Sequence, residues 1–413
     1  MSTSVPLAFI AGRVLLPFAC GYFMSYLFRS VNAVIAPSLQ QDLNIGAADL
    51  GSLTAAYFIA FSLAQLPLGI LLDRYGPRRV QAALLLFAAL GAAIFALGTQ
   101  FSHLFIGRTL IGLGVAGGLM SAMKTISLWL PAERWALANG VFMTAGGLGA
   151  LCATLPVELL VQWLDWRAVF WILAAMVACA SAAIFFLVPE KPGVQNAASE
   201  PIGEQLRSCG RILADRRFWR IAPVSMLGMS SSMAIQGLWS GPYLRDVGGL
   251  SRFEAAELQF ALAAALTAGF TLVGMTADRL QRIGISLRIT MCAATLIYAV
   301  DLLVLAAGWA PTHLLTWIVF GMLSNTTVLA YPILSAQFPA QLTGRVNTLL
   351  NGVVFGFAFF AQAGLGWIIG LWPRQANGGY PPEAYSWAFG IPLVTMLLGL
   401  LWYMAPGRDK VDK

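Results

Sequence analysis

Charge is what this sequence has least of. Only 10% of its 413 residues are Asp, Glu, Lys or Arg, where a soluble domain carries about 25%. That scarcity excludes a chain built to sit in water. The two histidines, His103 and His313, stand far apart. The five cysteines (Cys20, Cys152, Cys179, Cys209 and Cys292) have no metal or redox spacing, so neither a disulfide nor a metal site is expected. No nucleophile–base pair and no phosphate-cradling loop is present, so no enzyme activity and no cofactor is expected. The net charge of +7 does not point to nucleic acid, because the basic residues are dispersed among short loops. A cleavable signal peptide is not expected either: the first apolar run is too long and has no small-residue cleavage site.

What is abundant is apolar length. The chain is 59% hydrophobic with a mean hydropathy of +0.76, and a bilayer-spanning helix needs about 20 apolar residues. Twelve such stretches are predicted, at 14–36, 48–72, 80–99, 104–129, 136–162, 168–189, 218–243, 255–277, 287–308, 312–336, 346–372 and 385–405. The fold class is therefore an all-α, multi-pass membrane protein, with the lipid bilayer as its solvent. Eighteen Lys and Arg residues fall on the side of the even-to-odd loops and both ends; only Arg167, Arg245, Arg252 and Arg374 fall opposite. That bias predicts both termini in the cytoplasm and, for a bacterial-type chain, residence in the inner membrane. The longest polar stretch, 190–217, divides the chain into six-helix units at 1–189 and 218–413.

The two units repeat. Gly69-x-x-x-Asp73-Arg74 recurs as Gly274-x-x-x-Asp278-Arg279, an offset of 205, and Pro131-Ala132 with Asn139 recurs as Pro339-Ala340 with Asn347, an offset of 208. The first copy lies in Gly69-Ile70-Leu71-Leu72-Asp73-Arg74-Tyr75-Gly76-Pro77-Arg78-Arg79. Gly69 suits a close helix approach, and Gly76-Pro77 suits a break and a tight turn. Asp73 and Arg74 are too costly for lipid, so the turn belongs at a membrane surface.

This stretch resembles the signature loop of the major facilitator superfamily, G-x-x-x-D-R-x-G-x-R-R, with every anchor present, and the resemblance covers the whole chain. It implies two pseudo-symmetric six-helix bundles, a site near the midplane between them and alternating access. It also implies latches that close the cytoplasmic side, made in the outward-facing state and broken in the inward-facing one. Asp73 would contact the start of the eleventh helix with Arg345 or Arg134 nearby, and Asp278 the start of the fifth around Ala136-Leu137. Gly69, Arg74, Gly76, Arg78, Arg79 and Arg279 complete that set.

Polar residues inside the spans are the candidates for function. Tyr22, Ser25, Tyr26, Arg29 and Asn32 recur at three and four residues and form one stripe on the first helix. Arg29 either binds an anionic group of a substrate or pairs with a neighbouring helix. Tyr26-Leu27-Phe28-Arg29 with Pro37 resembles the first helix of the organophosphate antiporter branch, where an arginine here holds phosphate. That branch has a second arginine on the seventh helix. The repeat offsets lead here to 234–237, which hold Gln236 and no arginine, so a monoanion such as a carboxylate fits better than a doubly charged phosphate. Gln236, Trp239, Asn325, Asn351 and Phe355 are expected to line the site, with Ser225, Met229, Ser232, Asn347 and Gln362 on the same faces; interhelical hydrogen bonding is the alternative role for each amide.

Arg108 heads Arg108-x-x-x-Gly112-x-Gly114-x-x-x-Gly118, which resembles a second superfamily motif whose arginine takes part in coupling. Lys124 lies 160° round from Arg108 on a straight helix, by 100° per residue, and suits either substrate contact or snorkelling. Asp301 is the carboxylate deepest in a span, and Glu158, a turn from the end of the fifth, reads as interfacial. The first and fourth helices carry cations where proton symporters carry an acid, which favours antiport, uniport or anion-driven coupling over a standard proton relay, with a relay through Asp301 as the alternative. The expected function is secondary transport of a small organic anion by a monomer, with a coupling proton or counter-substrate as further partner. An exporter of amphipathic compounds and a transporter-like sensor are the alternatives.

Overall fold

The computed structural model describes residues 7–131, 134–190, 202–324, 326–339, 342–376 and 378–405, without the side chains of Leu66, Asp73, Ala136, Ile202, Gln205 and Leu206. Among these residues every regular element is a helix. Eleven helices are long and apolar enough to cross a membrane. The twelfth crossing, the seventh span at 216–246, is more polar. It opens with Arg216, Arg217 and Arg220 and carries Ser230, Ser231 and Ser232 at its middle. The protein is a multi-pass membrane protein of twelve helices.

The spans run longer than hydropathy alone suggests. The first covers Leu7–Leu43. The second and third form one helical stretch, Ala47–Leu97, that turns at Gly76. There φ is +76°, a left-handed conformation that strains any residue with a Cβ. Pro77 follows as the first residue of the next helix. The fourth span, Phe101–Trp129, is interrupted at Ala116-Gly117, so angles taken for a straight helix do not carry across it. The fifth (135–163) breaks at Ala153-Thr154. The sixth to twelfth follow at Trp166–Leu187, 216–246, Arg252–Arg282, Leu287–Ala306, Leu314–Ser335, Thr343–Ile369 and Pro382–Met404.

Starts and stops follow local chemistry. The eighth span begins with a capping box in which Ser251 accepts from Glu254 N and Glu254 accepts from Ser251 N. Ser286 caps the ninth, and Asp215 caps the seventh through Arg217 N at 2.8 Å. In the polar stretch between the sixth and seventh spans, Ile202–Ala214 forms a helix; residues 191–201 lie outside the described residues.

The spans define two faces. The near face carries the 2–3, 4–5, 8–9 and 10–11 turns, and the far face carries the 1–2, 7–8 and 11–12 turns. At the far face the first six spans close tightly on the last six. Gly51 on the second span packs backbone to backbone on Gly366 of the eleventh: a Cβ at Gly51 would lie 2.9 Å from Gln362 O and 3.0 Å from Gly366 Cα. The Trp239 ring wedges against the same crossing. Ala47 N donates to Tyr380 Oη at 3.1 Å, and Arg374 donates to the Ile45 carbonyl. Arg252 pairs with Glu158.

At the near face the close approach expected at Gly69 is corrected, and the signature-loop residues contact their own group of spans. A Cβ on Gly69 would meet nothing within 4 Å, so no close approach depends on it. Arg78 and Arg79 do not reach across the molecule. Both pair with Glu190, at 3.5 and 2.7 Å, and Arg78 donates to the Phe185 carbonyl, which ties the third span to the end of the sixth. Asp278 is exposed and pairs with Arg282 one turn on in its own helix, at 2.8 Å. Arg74 lies over the Tyr75 ring, and Arg279 is exposed. Arg134 precedes the fifth span and Arg345 sits in the first turn of the eleventh. The side chain of Asp73 lies outside the described residues.

Candidate functional site

A lone guanidinium in the middle of a bundle needs something to replace water. For Arg29 that something is aromatic. Its Cζ lies 4.4 Å from the Tyr26 ring centroid, 5.0 Å from Phe355 and 6.0 Å from Phe61. The phenol of Tyr57 lies beside it. Its Nε is buried with no hydrogen-bond partner, and no carboxylate pairs with it among the described residues. A cation over a desolvated ring gains about 2 kcal/mol, so three rings hold the charge in place and leave it uncancelled.

The cage is built from both groups of spans. Tyr26 and Arg29 share a face of the first span at a spacing of three. Phe61 stacks on Phe355 of the eleventh span at 4.0 Å with the planes 15° apart. Phe58 meets the same ring at 6.0 Å, and Tyr26 meets Phe270 of the eighth span edge-on at 6.3 Å. Ser62 donates to the Gly352 carbonyl at 2.7 Å just beyond. Arg29 thus lies at the seam between the two groups, held by residues of each.

Not all of the expected lining is here. Tyr22 stands behind Tyr26, edge-on at 5.2 Å, with its hydroxyl on Met143 Sδ. Asn32 is fully buried and donates to Thr54 Oγ1 at 2.8 Å, so it joins the first span to the second. Trp239 sits in the far-face crossing, 1% exposed. Asn351 accepts from Tyr331 at 3.1 Å and Asn347 from Ser335 at 2.8 Å, which brace the eleventh span on the tenth. Gln236 lines a small cavity above the cage with Ser30, Thr154, Ser240 and Gln259, among alanine and leucine side chains. Asn325 lies outside the described residues.

Arg108 is buried in the first six spans. It donates to the Phe28 carbonyl at 2.8 Å between the rings of Phe95 and Phe170, at 5.4 and 5.9 Å. Through Phe28 it fixes the backbone next to Arg29. Lys124 is half-buried beyond the break in the fourth span. Asp301 is buried in the ninth span with Oδ2 unpaired; Tyr298, one turn before it, packs on Phe320 of the tenth.

Two groups of residues escape a reading of the sequence alone. Tyr57 and Phe61 are one turn apart on the second span, but they sit in an apolar run with nothing to mark them. Glu158 reads as interfacial by its height in the fifth span. Instead it is 3% exposed, and its Oε1 lies 3.3 Å from Arg252 Nε of the eighth span. Counting residues gives height in the bilayer; it does not say which neighbour stands in front.

Comparisons with known proteins agree with the fold. A probable sulfoacetate transporter of Cupriavidus necator is 22% identical over 369 residues, 81% of this chain and 84% of that one. The hexuronate transporter of Escherichia coli is 28% identical over 216 residues, 49% of this chain and 50% of that one. In three dimensions the nucleoside transporter NupG superposes with a TM-score of 0.75 at 15% identity, covering 95% of this chain and 99% of that one, a likeness of fold. Residues 18–361 match the Major Facilitator Superfamily, and the chain belongs to that family of membrane transporters.

Proposed function

We propose that the protein carries a small organic monoanion, a carboxylate or a sulfonate, across the bacterial inner membrane by alternating access, with both chain ends in the cytoplasm. The observation that carries this reading is Arg29: a charge at the seam, ringed by Tyr26, Phe61 and Phe355, with no carboxylate paired to it among the described residues. An anion bound there would gain a charge-assisted hydrogen bond in a water-poor site, and its apolar body would lie on the rings. Because the rings come from both sides of the seam, the anion would engage both groups of spans at once, as alternating access requires. The single arginine favours one negative charge over two. The relatives named for sulfoacetate and hexuronate transport support an organic anion as cargo; hexuronate carries one charge and sulfoacetate two.

The test is binding to purified protein by thermal shift and titration, with methanesulfonate, galacturonate and benzoate against neutral benzamide and a cationic dye. Anions should stabilise the protein and the neutral and cationic compounds should not. Arg29→Gln removes one charged hydrogen bond, worth roughly 1.5–3 kcal/mol, and so should weaken anion binding about ten- to a hundredfold. Equal anion binding by the variant would overturn the anchor. A response confined to the dye would favour export of amphipathic cations.

A further inference from the structure

The charge bias along the loops has four exceptions, Arg167, Arg245, Arg252 and Arg374. Arg167 is accounted for inside the first six spans, paired with Asp42 and Asp165 at 2.5 and 3.6 Å. The other three gather at the far-face seam, above the Arg29 cage. Their partners there come largely from the opposite side of the seam. Arg252, on the eighth span, lies 3.3 Å from Glu158 Oε1 of the fifth and 3.2 Å from Ser38 Oγ of the first. Arg374, in the 11–12 turn, donates to the Ile45 carbonyl of the 1–2 turn. Arg245 stands within electrostatic reach of Glu158, Arg252 and Asp246. Asp246 is itself held by Tyr380 N and Tyr385 Oη at 2.9 and 2.6 Å, all within the last six spans.

Opening this face must therefore strip Arg252 of Glu158 and Ser38, and Arg374 of Ile45 O. The cations stay behind on the last six spans, at the mouth. Polar side chains lie inward of them. Glu158 and Thr154 share a face of the fifth span, Gln236 and Ser240 a face of the seventh, and Arg252 and Gln259 a face of the eighth, by their spacings of four, four and seven. Ser30, Thr154, Gln236, Ser240 and Gln259 line one cavity, and Ser30 adjoins Arg29 in the chain.

We propose that Arg252, with Arg245 in its electrostatic reach and Arg374 on the same face, is an outer capture site for carboxylate or sulfonate anions, paired with Glu158 while the far face is sealed and freed for a ligand when it opens. The proposal rests on the anion reading of the Arg29 site and adds a second, transient station to it. Guanidinium groups suit both the closed and the open state, since they pair with the Glu158 carboxylate in one and with a ligand carboxylate in the other. The ligand replaces the contact that opening breaks. An anion at the mouth should then favour the open far face, besides being drawn toward it.

The experiment uses full-length protein in liposomes, on a background free of native cysteines, with spin labels at Gln41 and Gln375, exposed positions on either side of the seam. Label distances are read while benzoate is raised to 100 mM, against benzamide, with and without Arg29→Gln. Benzoate should lengthen the distance in both Arg29 backgrounds. Glu158→Gln unmasks the arginine and should shift the response to about tenfold lower benzoate. Arg252→Gln should remove the response, and Arg252→Lys should keep a weaker one, which guards against a folding defect. A plain gate predicts otherwise: Glu158→Gln and Arg252→Gln would open alike and neither would respond to benzoate. That result overturns the proposal, as does a benzoate response that vanishes with Arg29→Gln. Failure of the anion reading itself shows separately, as unchanged anion binding on Arg29→Gln in the unlabelled protein.

Discussion

An arginine can be held inside a membrane by an acid or by aromatic rings, and the choice decides what it can do. An acid cancels the charge; rings shelter it and leave it for a ligand. Arg29 and Phe355 were legible as polar stripe and aromatic lining, and they meet at 5.0 Å. Asn32 and Trp239 were just as prominent in the sequence, yet they brace helices, because a 3–4 pattern names a face without naming its neighbour. The cage makes a prediction at this scale. Phe355 stacks on Phe61 and faces Arg29 from the other side of the seam. Phe355→Leu keeps the bulk and loses the ring, and a cation–π contact is worth about 0.5–2 kcal/mol. Anion affinity should fall roughly two- to thirtyfold, beside a drop in thermal stability of the unliganded protein from the lost stacking and cation–π contacts. Isothermal titration with the best anion of the thermal-shift series checks it; unchanged affinity would remove Phe355 from the site.

Elements were the most legible level. Eleven spans follow from length and hydropathy, because in lipid every backbone polar group must bond within its own helix. The seventh was readable by length although its start is cationic and its middle rich in serine. Its entry shows how that charge is managed. Asp215 accepts from Arg217 N at 2.8 Å and pairs with the Arg217 side chain at 2.7 Å, while Arg217 Nη1 donates to Gln337 O in the 10–11 turn. The hydrogen bonds from Arg217 hold the Asp215 carboxyl below its usual range. A carboxylate whose pKa is lower folded than unfolded stabilises above the unfolded value, about 3.9. That contribution is lost as pH falls through the folded value. Asp215→Ala should therefore cost about 0.5–2 kcal/mol at neutral pH. Urea unfolding in detergent at pH 7 and under strong acid measures it: the difference from the parent should shrink below about pH 4, and a difference independent of pH would mean the cap acts without its charge.

At the scale of the whole molecule, the repeat foretold two related groups of spans, but it could not say which face is sealed. The signature loop drew attention to the near face, where Arg78 and Arg79 turn out to hold the third span to the sixth. The seal in this structure is at the far face, and glycine rather than charge sets how close it is. At the crossing of the second and eleventh spans, a Cβ on Gly366 would lie 2.6 Å from Ala47 O and 3.0 Å from both Gly51 Cα and the Trp239 ring. The first two obstacles are backbone and cannot swing aside, so a side chain there must part the spans. Overpacking of a close contact costs about 1–3 kcal/mol, enough to shift a two-state balance about five- to 150-fold. Gly364, two residues away on the same helix, would meet nothing within 4 Å and serves as the control. Gly366→Leu should lengthen the Gln41–Gln375 label distance and slow turnover by more than about tenfold, at the upper end of that shift, while anion binding to Arg29 from the far side persists. Gly364→Leu should leave distance and turnover as they are. If Gly366→Leu also keeps the short distance and normal turnover, the glycine crossing is not what seals the far face, and the polar contacts of Ala47, Arg374, Tyr380 and Arg252 must hold it.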